Sequence, residues 1–77
     1  MRYRIFFDGN AGDQESGFLL VFDQSLADLE KIEPEPREGM TVLLYDPGQL
    51  EVEARLTFDG EWNGWRGVPT GPFKVLG

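Results

Sequence analysis

The sequence contains neither cysteine nor histidine. Disulfide bonds and thiolate metal ligands are therefore excluded, and so is the side chain most often used as a general base or a metal ligand. The two serines, Ser16 and Ser25, have no imidazole that could activate them as nucleophiles. A chain of 77 residues also offers little bulk around a substrate cleft, which usually needs roughly 300 Å³ or more. We therefore predict that the protein is not an enzyme and uses no cofactor.

Long apolar runs are missing as well. The first apolar stretch, Ile5-Phe6-Phe7, stops at Asp8, whereas the apolar region of an export signal spans roughly 7–15 residues. No segment approaches the roughly 20 apolar residues of a membrane-spanning helix. Together with the absence of cysteine, these observations predict one small cytoplasmic domain over residues 1–77.

Basic residues are few, and the net charge is −7. Residues 8–40 hold nine acidic residues against only Lys31 and Arg37. Because phosphate backbones and anionic membranes are bound by basic surfaces, this composition disfavours nucleic acid and membrane as partners. A basic protein or peptide is the partner class that fits, and the alternative is that the charge only maintains solubility.

The most regular pattern lies in residues 41–65. Apolar residues alternate there with polar ones, which predicts a strand with one dry face; the apolar set is Val52, Ala54, Leu56 and Phe58. Asp46-Pro47 begins a turn before this strand, and Asp59-Gly60 is a strong hairpin signal after it. We predict a three-stranded meander over residues 40–46, 50–58 and 61–67.

The rest of the chain is expected to pack on the dry face of this meander. Strands are predicted at residues 2–8 and 17–22, antiparallel to each other, and at residues 73–76. A short amphipathic helix is predicted near residues 25–32, with Ser25 and Asp28 as its capping box. Its apolar stripe is Leu26, Leu29 and Ile32, which recur at helical spacing. The expected fold is mainly β: a small, partly closed antiparallel barrel of SH3-like or OB-like size, with five or six short strands and one short helix.

The C-terminal part resembles the end of an SH3 domain. Trp65-Arg66-Gly67-Val68-Pro69, followed by Phe73-Lys74-Val75-Leu76, carries the resemblance, which covers about a third of the chain. That family pairs a Trp with a Pro and an aromatic residue to bind proline-rich peptides, so the resemblance implies a small barrel with an aromatic binding surface. The aromatic residue falls four positions after Pro69 here, where the family has three.

Aromatic residues, together with acidic ones, supply the candidate site. A hairpin that turns on Asp59-Gly60 pairs Phe58 with Glu61. This register places Trp62 on the outer face of the sheet and Trp65 on the inner face, because paired residues share a face. We predict a small acidic protein-interaction module or inhibitor that docks a basic partner. Its predicted binding residues are Trp62, Tyr45, Glu51, Glu53, Asp59 and Glu61. The alternative is that one Trp belongs to the core and the other packs over a barrel end.

An acidic loop over residues 8–15 carries the alternative function, which is calcium-type metal binding. Oxygen ligands from Asp8, Asn10, Asp13 and Glu15 would suit Ca²⁺. The order of these residues departs from an EF-hand loop, because the bidentate Glu would fall at Leu19. A polar, acidic loop tip is the competing interpretation.

Overall fold

The computed structural model describes residues 2–75 and contains one helix and seven strands among them. The elements are β1 (Arg4–Phe6), β2 (Gly12–Asp13), β3 (Gly17–Leu19), α1 (Asp23–Glu30), β4 (Thr41–Asp46), β5 (Leu50–Asp59), β6 (Gly64–Pro69) and β7 (Lys74–Val75). Leu76, the end of the last predicted strand, lies outside the described residues. Within residues 2–75, no helix combines the length and apolar character needed to cross a membrane.

Strand β5 is the centre of a single sheet. The sheet has the order β1-β4-β5-β6-β3-β2, and β7 pairs with the start of β5. The first half of β5 pairs with β4, the second half pairs with β6, and both pairings are antiparallel. The two outer strands, β1 and β2, are not hydrogen-bonded to each other, so the barrel-like sheet is not closed. The predicted mainly β fold with one short helix is confirmed.

The first strand departs from the expected pairing. β1 pairs with β4 in parallel, with Ile5 opposite Leu44, rather than antiparallel with the strand that follows it. The loop between the first two predicted strands instead contains the short strand β2, which forms a small hairpin with β3. On its other side, β3 pairs with β6, so it lies far from β1 in the sheet. Ring packing bridges the open side, since the Phe7 and Phe18 rings lie 5.1 Å apart. β7 lies within the last predicted strand, whereas the short strand β2 was not predicted and brings the strand count to seven.

The core is one cluster of apolar side chains from the strands, joined by Leu29 of α1 and by Ile32 just after it. The alternation in β5 correctly predicted three positions of its dry face, because Val52, Ala54 and Leu56 are buried, whereas the fourth, Phe58, is 47% exposed at the end of the strand. The full buried set is Ile5, Phe7, Phe18, Leu20, Leu29, Ile32, Val42, Leu44, Val52, Ala54 and Leu56.

The helix was predicted in the right region, and Leu29 and Ile32 of its predicted apolar stripe are buried, but its predicted capping box and the burial of Leu26 were wrong. It begins at Asp23, and its N-cap residue, Phe22, makes no side-chain cap. Ser25 and Asp28 therefore do not form a capping box; both are buried, while Leu26 is 48% exposed. The physical reason is that two polar side chains of α1 face the backbone of β1.

That contact covers an open sheet edge. The main-chain N–H of Phe6 donates to Asp28 Oδ2 at 3.0 Å, and Ser25 Oγ donates to the Phe6 carbonyl at 2.7 Å. Asp28 also accepts hydrogen bonds from Gln24 Nε2 and from the Tyr45 hydroxyl, each at 2.9 Å. The helix thus satisfies backbone groups that an edge strand would otherwise leave open to pairing with another chain.

Candidate interaction site

The hairpin between β5 and β6 is longer than the sequence suggested. Phe58 pairs with Trp65 and Asp59 pairs with Gly64, so residues 60–63 form a four-residue loop. Asn63 adopts a left-handed conformation with φ of 52°, which Asn tolerates better than most residues. The predicted turn on Asp59-Gly60 is therefore wrong. The Asp59 carboxylate organises the wider loop by accepting the N–H groups of Glu61 at 2.9 Å and Trp62 at 3.4 Å.

Trp65 nevertheless lies on the predicted inner face, and Trp62 is exposed as predicted, although it lies in the loop rather than on a strand. The observed partner of Phe58 is Trp65 rather than Glu61, a displacement of four positions. An even displacement keeps each side chain on its own face of the sheet. Trp62 is 59% exposed, as expected. Trp65 is on the inner face and packs against the core, but it is half-buried rather than fully buried.

Four apolar side chains gather at this end of the sheet, and we call Val21, Phe58, Trp62 and Trp65 the aromatic tip. The Phe58 and Trp65 rings meet edge to face, with centroids 5.4 Å apart. The Leu20 N–H donates to the Trp65 carbonyl at 2.9 Å, which brings Val21 beside the start of β6. Phe58 is 47% exposed and Val21 is 40% exposed. Neither residue was predicted to bind a partner, although Phe58 is the last inward position of β5 before the turn, where the core ends.

Carboxylates flank the aromatic tip. Glu38 is exposed, and its Oε1 accepts the Phe58 N–H at 2.9 Å. That hydrogen bond lowers the pKa of Glu38 below its usual value, so the side chain is ionised at neutral pH. Glu61 is exposed in the loop itself. Within the described part of the chain, neither Glu38 nor Glu61 forms an ion pair.

Asp59 has a different role from these two. Arg66 Nε donates to Asp59 Oδ2 at 2.6 Å, and Arg66 Nη1 donates to the Gly17 carbonyl at 3.2 Å. The hydrogen bond from Arg66 lowers the pKa of Asp59 below its usual value. Because Arg66 neutralises Asp59, this carboxylate ties the hairpin loop to β3 and does not present a free charge to a partner.

The other predicted binding residues do not join the tip. Glu51 precedes Asp59 by eight positions in β5, which is roughly 26 Å along an extended strand. Arg4 Nη2 lies 3.4 Å from Glu51 Oε2, and Arg2 forms an ion pair with Glu53. Both glutamates belong to a charge-paired outer face of the sheet.

Tyr45 belongs to the same outer face. The Arg4 guanidinium lies 4.6 Å from the centre of its ring, and its hydroxyl donates to Asp28. Burial, and then the hydrogen bond to Asp28, raise the pKa of Tyr45. The phenol is therefore a neutral donor that holds α1 against the sheet, and it lies away from Trp62.

The acidic loop uses its carboxylates within the chain. Asp8 Oδ1 accepts the Asn10 N–H at 2.9 Å, and Asp13 Oδ1 accepts the N–H groups of Glu15 and Ser16 at 2.9 and 2.6 Å. Among the described residues, no three acidic side chains are grouped so that they could hold a metal ion. The calcium hypothesis has no support from this geometry and stays a prediction.

Comparisons with protein-family models, with curated proteins and with solved structures find no match for this chain. The similarity to SH3 domains therefore remains one of a short motif, and it assigns no residue to a site. The case for a functional site rests on the geometry of the aromatic tip.

Proposed function

We propose that this protein is a small acidic interaction module or inhibitor that docks a basic partner protein through the aromatic tip. The observation that carries the proposal is the exposure of Phe58 and Trp62 at one end of the sheet, where they are 47% and 59% exposed. The core residues, in contrast, are 5% exposed or less. Large aromatic side chains that a monomer leaves accessible are the usual energetic anchors of protein interfaces.

The charge around the tip defines the partner. Glu38 and Glu61 flank the exposed aromatic residues, and the whole chain has a net charge of −7. A partner segment that combines Lys or Arg with apolar side chains would place its apolar groups on the rings and its cations on these carboxylates. Electrostatic attraction would raise the association rate, whereas burial of the rings would slow dissociation.

Several other features of the protein are part of this proposal. The role is binding rather than catalysis, and neither nucleic acid nor membrane is the partner, because the accessible charge is acidic. A cytoplasmic location agrees with the absence of cysteine and with the apolar run that stops at Asp8.

Selection from a displayed peptide library tests the proposal. The wild-type protein is the target, and the Trp62→Ala variant is used for counter-selection. We expect the selected peptides to be enriched in Lys or Arg next to apolar residues. Trp62→Ala should weaken their affinity by about tenfold or more, because an exposed aromatic anchor is lost. Binding should also weaken as salt is raised.

Val75→Ala is the matched control for this experiment. Val75 is an even more exposed apolar residue, but it lies in β7, which pairs with the opposite end of β5. Its removal should leave the affinity of the selected peptides unchanged. The proposal fails if the selection yields no peptide that binds the wild type better than Trp62→Ala. It also fails if the selected peptides are acidic, or if Trp62→Ala and Val75→Ala weaken binding equally.

A further inference from the structure

A cavity opens at the end of the barrel-like sheet opposite the aromatic tip. Its volume is about 260 Å³, and its lining residues are Phe7, Gly9, Gln14, Phe18, Leu50 and Phe73. Leu50 is the first residue of β5, whereas the aromatic tip is built around the last residues of that strand. The cavity is therefore separate from the docking surface proposed above.

The accessible wall of the cavity is apolar. Leu50 and Phe73 are half-buried and pack against the core, so they present the surface that a ligand would meet. Phe7 and Phe18 are buried and form the floor, where the Phe18 ring meets the Phe73 ring edge to face at 6.3 Å. Val75 is opposite Leu50 in the sheet and 72% exposed. Because paired residues share a face, Val75 continues the apolar surface to the rim of the cavity.

The lining of the cavity carries no charge. Among the residues that the structure describes, the six that line it include no ionisable side chain. Lys74 follows the lining residue Phe73, but it is paired with Glu51, and both lie on the outer face of the sheet. The exposed Gln14 supplies a neutral amide that can donate or accept a hydrogen bond. A charged group that entered would lose hydration without meeting an opposite charge, so the cavity favours an uncharged ligand.

Gly9 keeps the opening of the cavity wide. A Cβ at this position would meet no atom within 4 Å, and the φ of Gly9 is not in the left-handed region that favours glycine. Neither a close contact nor the backbone conformation therefore requires glycine here. Because Gly9 lines the cavity, a larger side chain at this position would take up part of the opening.

We infer that this cavity binds a small uncharged molecule with a single aromatic ring. Apolar cavities of roughly 150 Å³ hold molecules of the size of benzene, so a volume of about 260 Å³ leaves room for a ring with one short substituent. The ring of the ligand packs against Leu50 and edge to face against Phe73, and its polar substituent lies near Gln14. The inference requires no partner protein, so it stands or falls independently of the docking function of the aromatic tip.

Titrations with benzyl alcohol, benzylammonium and benzoate test this inference, because the three probes share a ring and differ in charge. Binding is followed by the ¹⁵N–¹H resonances of the full chain at physiological salt, which screens the net charge of −7. We expect millimolar benzyl alcohol to shift the amide signals of Gly9, Gln14 and Leu50 and to leave the Trp62 indole signal unchanged. Both charged probes should bind severalfold more weakly, because the lining offers their charge no ionic partner.

A fourth probe, cyclohexylmethanol, tests the role of the aromatic ring. It is uncharged like benzyl alcohol, but its saturated ring cannot make an edge-to-face contact with Phe73. We expect it to bind severalfold more weakly than benzyl alcohol and to shift the same amide signals.

The variant Gly9→Leu tests the location of the site. Its side chain takes up part of the opening, so we expect the shifts caused by benzyl alcohol to be lost at concentrations that saturate the wild type. Gly60→Leu is the matched control, because it adds the same side chain in the β5–β6 loop, at the end of β5 remote from the cavity. A Cβ would meet nothing within 4 Å at either position, so both variants should keep the thermal midpoint of the wild type.

Several results would overturn the inference. Benzyl alcohol would shift none of the lining signals at millimolar concentration, or it would shift the Trp62 signal instead. Benzylammonium, benzoate or cyclohexylmethanol would bind the wild type as tightly as benzyl alcohol does. Gly9→Leu and Gly60→Leu would change the affinity for benzyl alcohol equally.

Discussion

Asp28 in α1 accepts a hydrogen bond from the main-chain N–H of Phe6 in β1, with its Oδ2 at 3.0 Å from that nitrogen. The carboxylate is almost completely buried, and it also accepts the Tyr45 hydroxyl at 2.9 Å. A buried carboxylate is stable only when its lone pairs are satisfied in this way. The contact therefore joins three separate parts of the chain: the helix, the edge strand and the end of β4.

Substitution of Asp28 should show how much this contact stabilises the fold. Asp28→Ala leaves the Phe6 N–H and the Tyr45 hydroxyl without their acceptor, so we expect a loss of about 2–4 kcal/mol in the free energy of unfolding. Glu30→Ala, on the exposed side of the same helix, should cost less than about 1 kcal/mol. Urea denaturation of both variants gives the comparison. Equal losses would show that the buried contact contributes nothing specific.

Gly67 is required for close packing against the core. A Cβ at this position would lie 2.8 Å from Leu44 Cδ1 and 2.9 Å from Leu44 Cδ2. We expect Gly67→Ala to lower the free energy of unfolding by about 1–3 kcal/mol through overpacking. Gly60→Ala is the control, because its Cβ would meet nothing within 4 Å. Combining Gly67→Ala with Leu44→Val should recover part of the loss, and additive losses in the double variant would contradict the packing explanation.

The ion pair between Asp59 and Arg66 should make stability depend on pH in the acid range. The hydrogen bond from Arg66 lowers the pKa of Asp59 in the folded protein, so folding is favoured while the carboxylate is ionised. This contribution is present above the ordinary Asp value of 3.8, and it is lost as the pH falls through the lower pKa of the folded state. We expect the thermal midpoints of the wild type and Asp59→Asn to differ at neutral pH and to converge in strong acid. Glu61→Gln should follow the wild-type curve, and a constant difference for Asp59→Asn at every pH would refute the linkage.

Fluorescence quenching distinguishes the two tryptophans. Trp62 is 59% exposed, whereas Trp65 is half-buried against the core. In the two single-tryptophan proteins, Trp62→Phe and Trp65→Phe, acrylamide should quench the remaining Trp62 several times faster than the remaining Trp65. The reverse order would contradict both the hairpin register and the aromatic tip.

A calcium titration decides the alternative function. The Asp13 carboxylate already accepts two backbone N–H groups, and a cation would have to compete with them. We expect millimolar Ca²⁺ to leave the thermal midpoint unchanged. If Ca²⁺ raises the midpoint of the wild type and of Asp23→Asn, but not that of Asp13→Asn, the loop is a calcium site after all.

Features that depend on neighbouring residues were predictable from the sequence. The alternation of apolar and polar residues in β5 determines its buried face, since successive side chains of a strand point to opposite sides. The turn after β4 was predicted from Asp46-Pro47. Gly48 adopts a positive φ of 72° there, which is the conformation of the glycine that follows the proline in a type II turn. The same parity correctly placed Trp65 on the inner face, although the hairpin register was wrong and Trp62 lies in the loop.

Features that depend on distant parts of the chain were decided only by the tertiary structure. The local sequence assigns Ser25 and Asp28 to a capping box, because nothing in it shows that the unpaired backbone edge at Phe6 will lie against them. The sequence groups Glu51 with Asp59, yet an extended strand separates them by most of its length. Local patterns determine which way a side chain points, whereas the long-range pairing of strands determines what it meets.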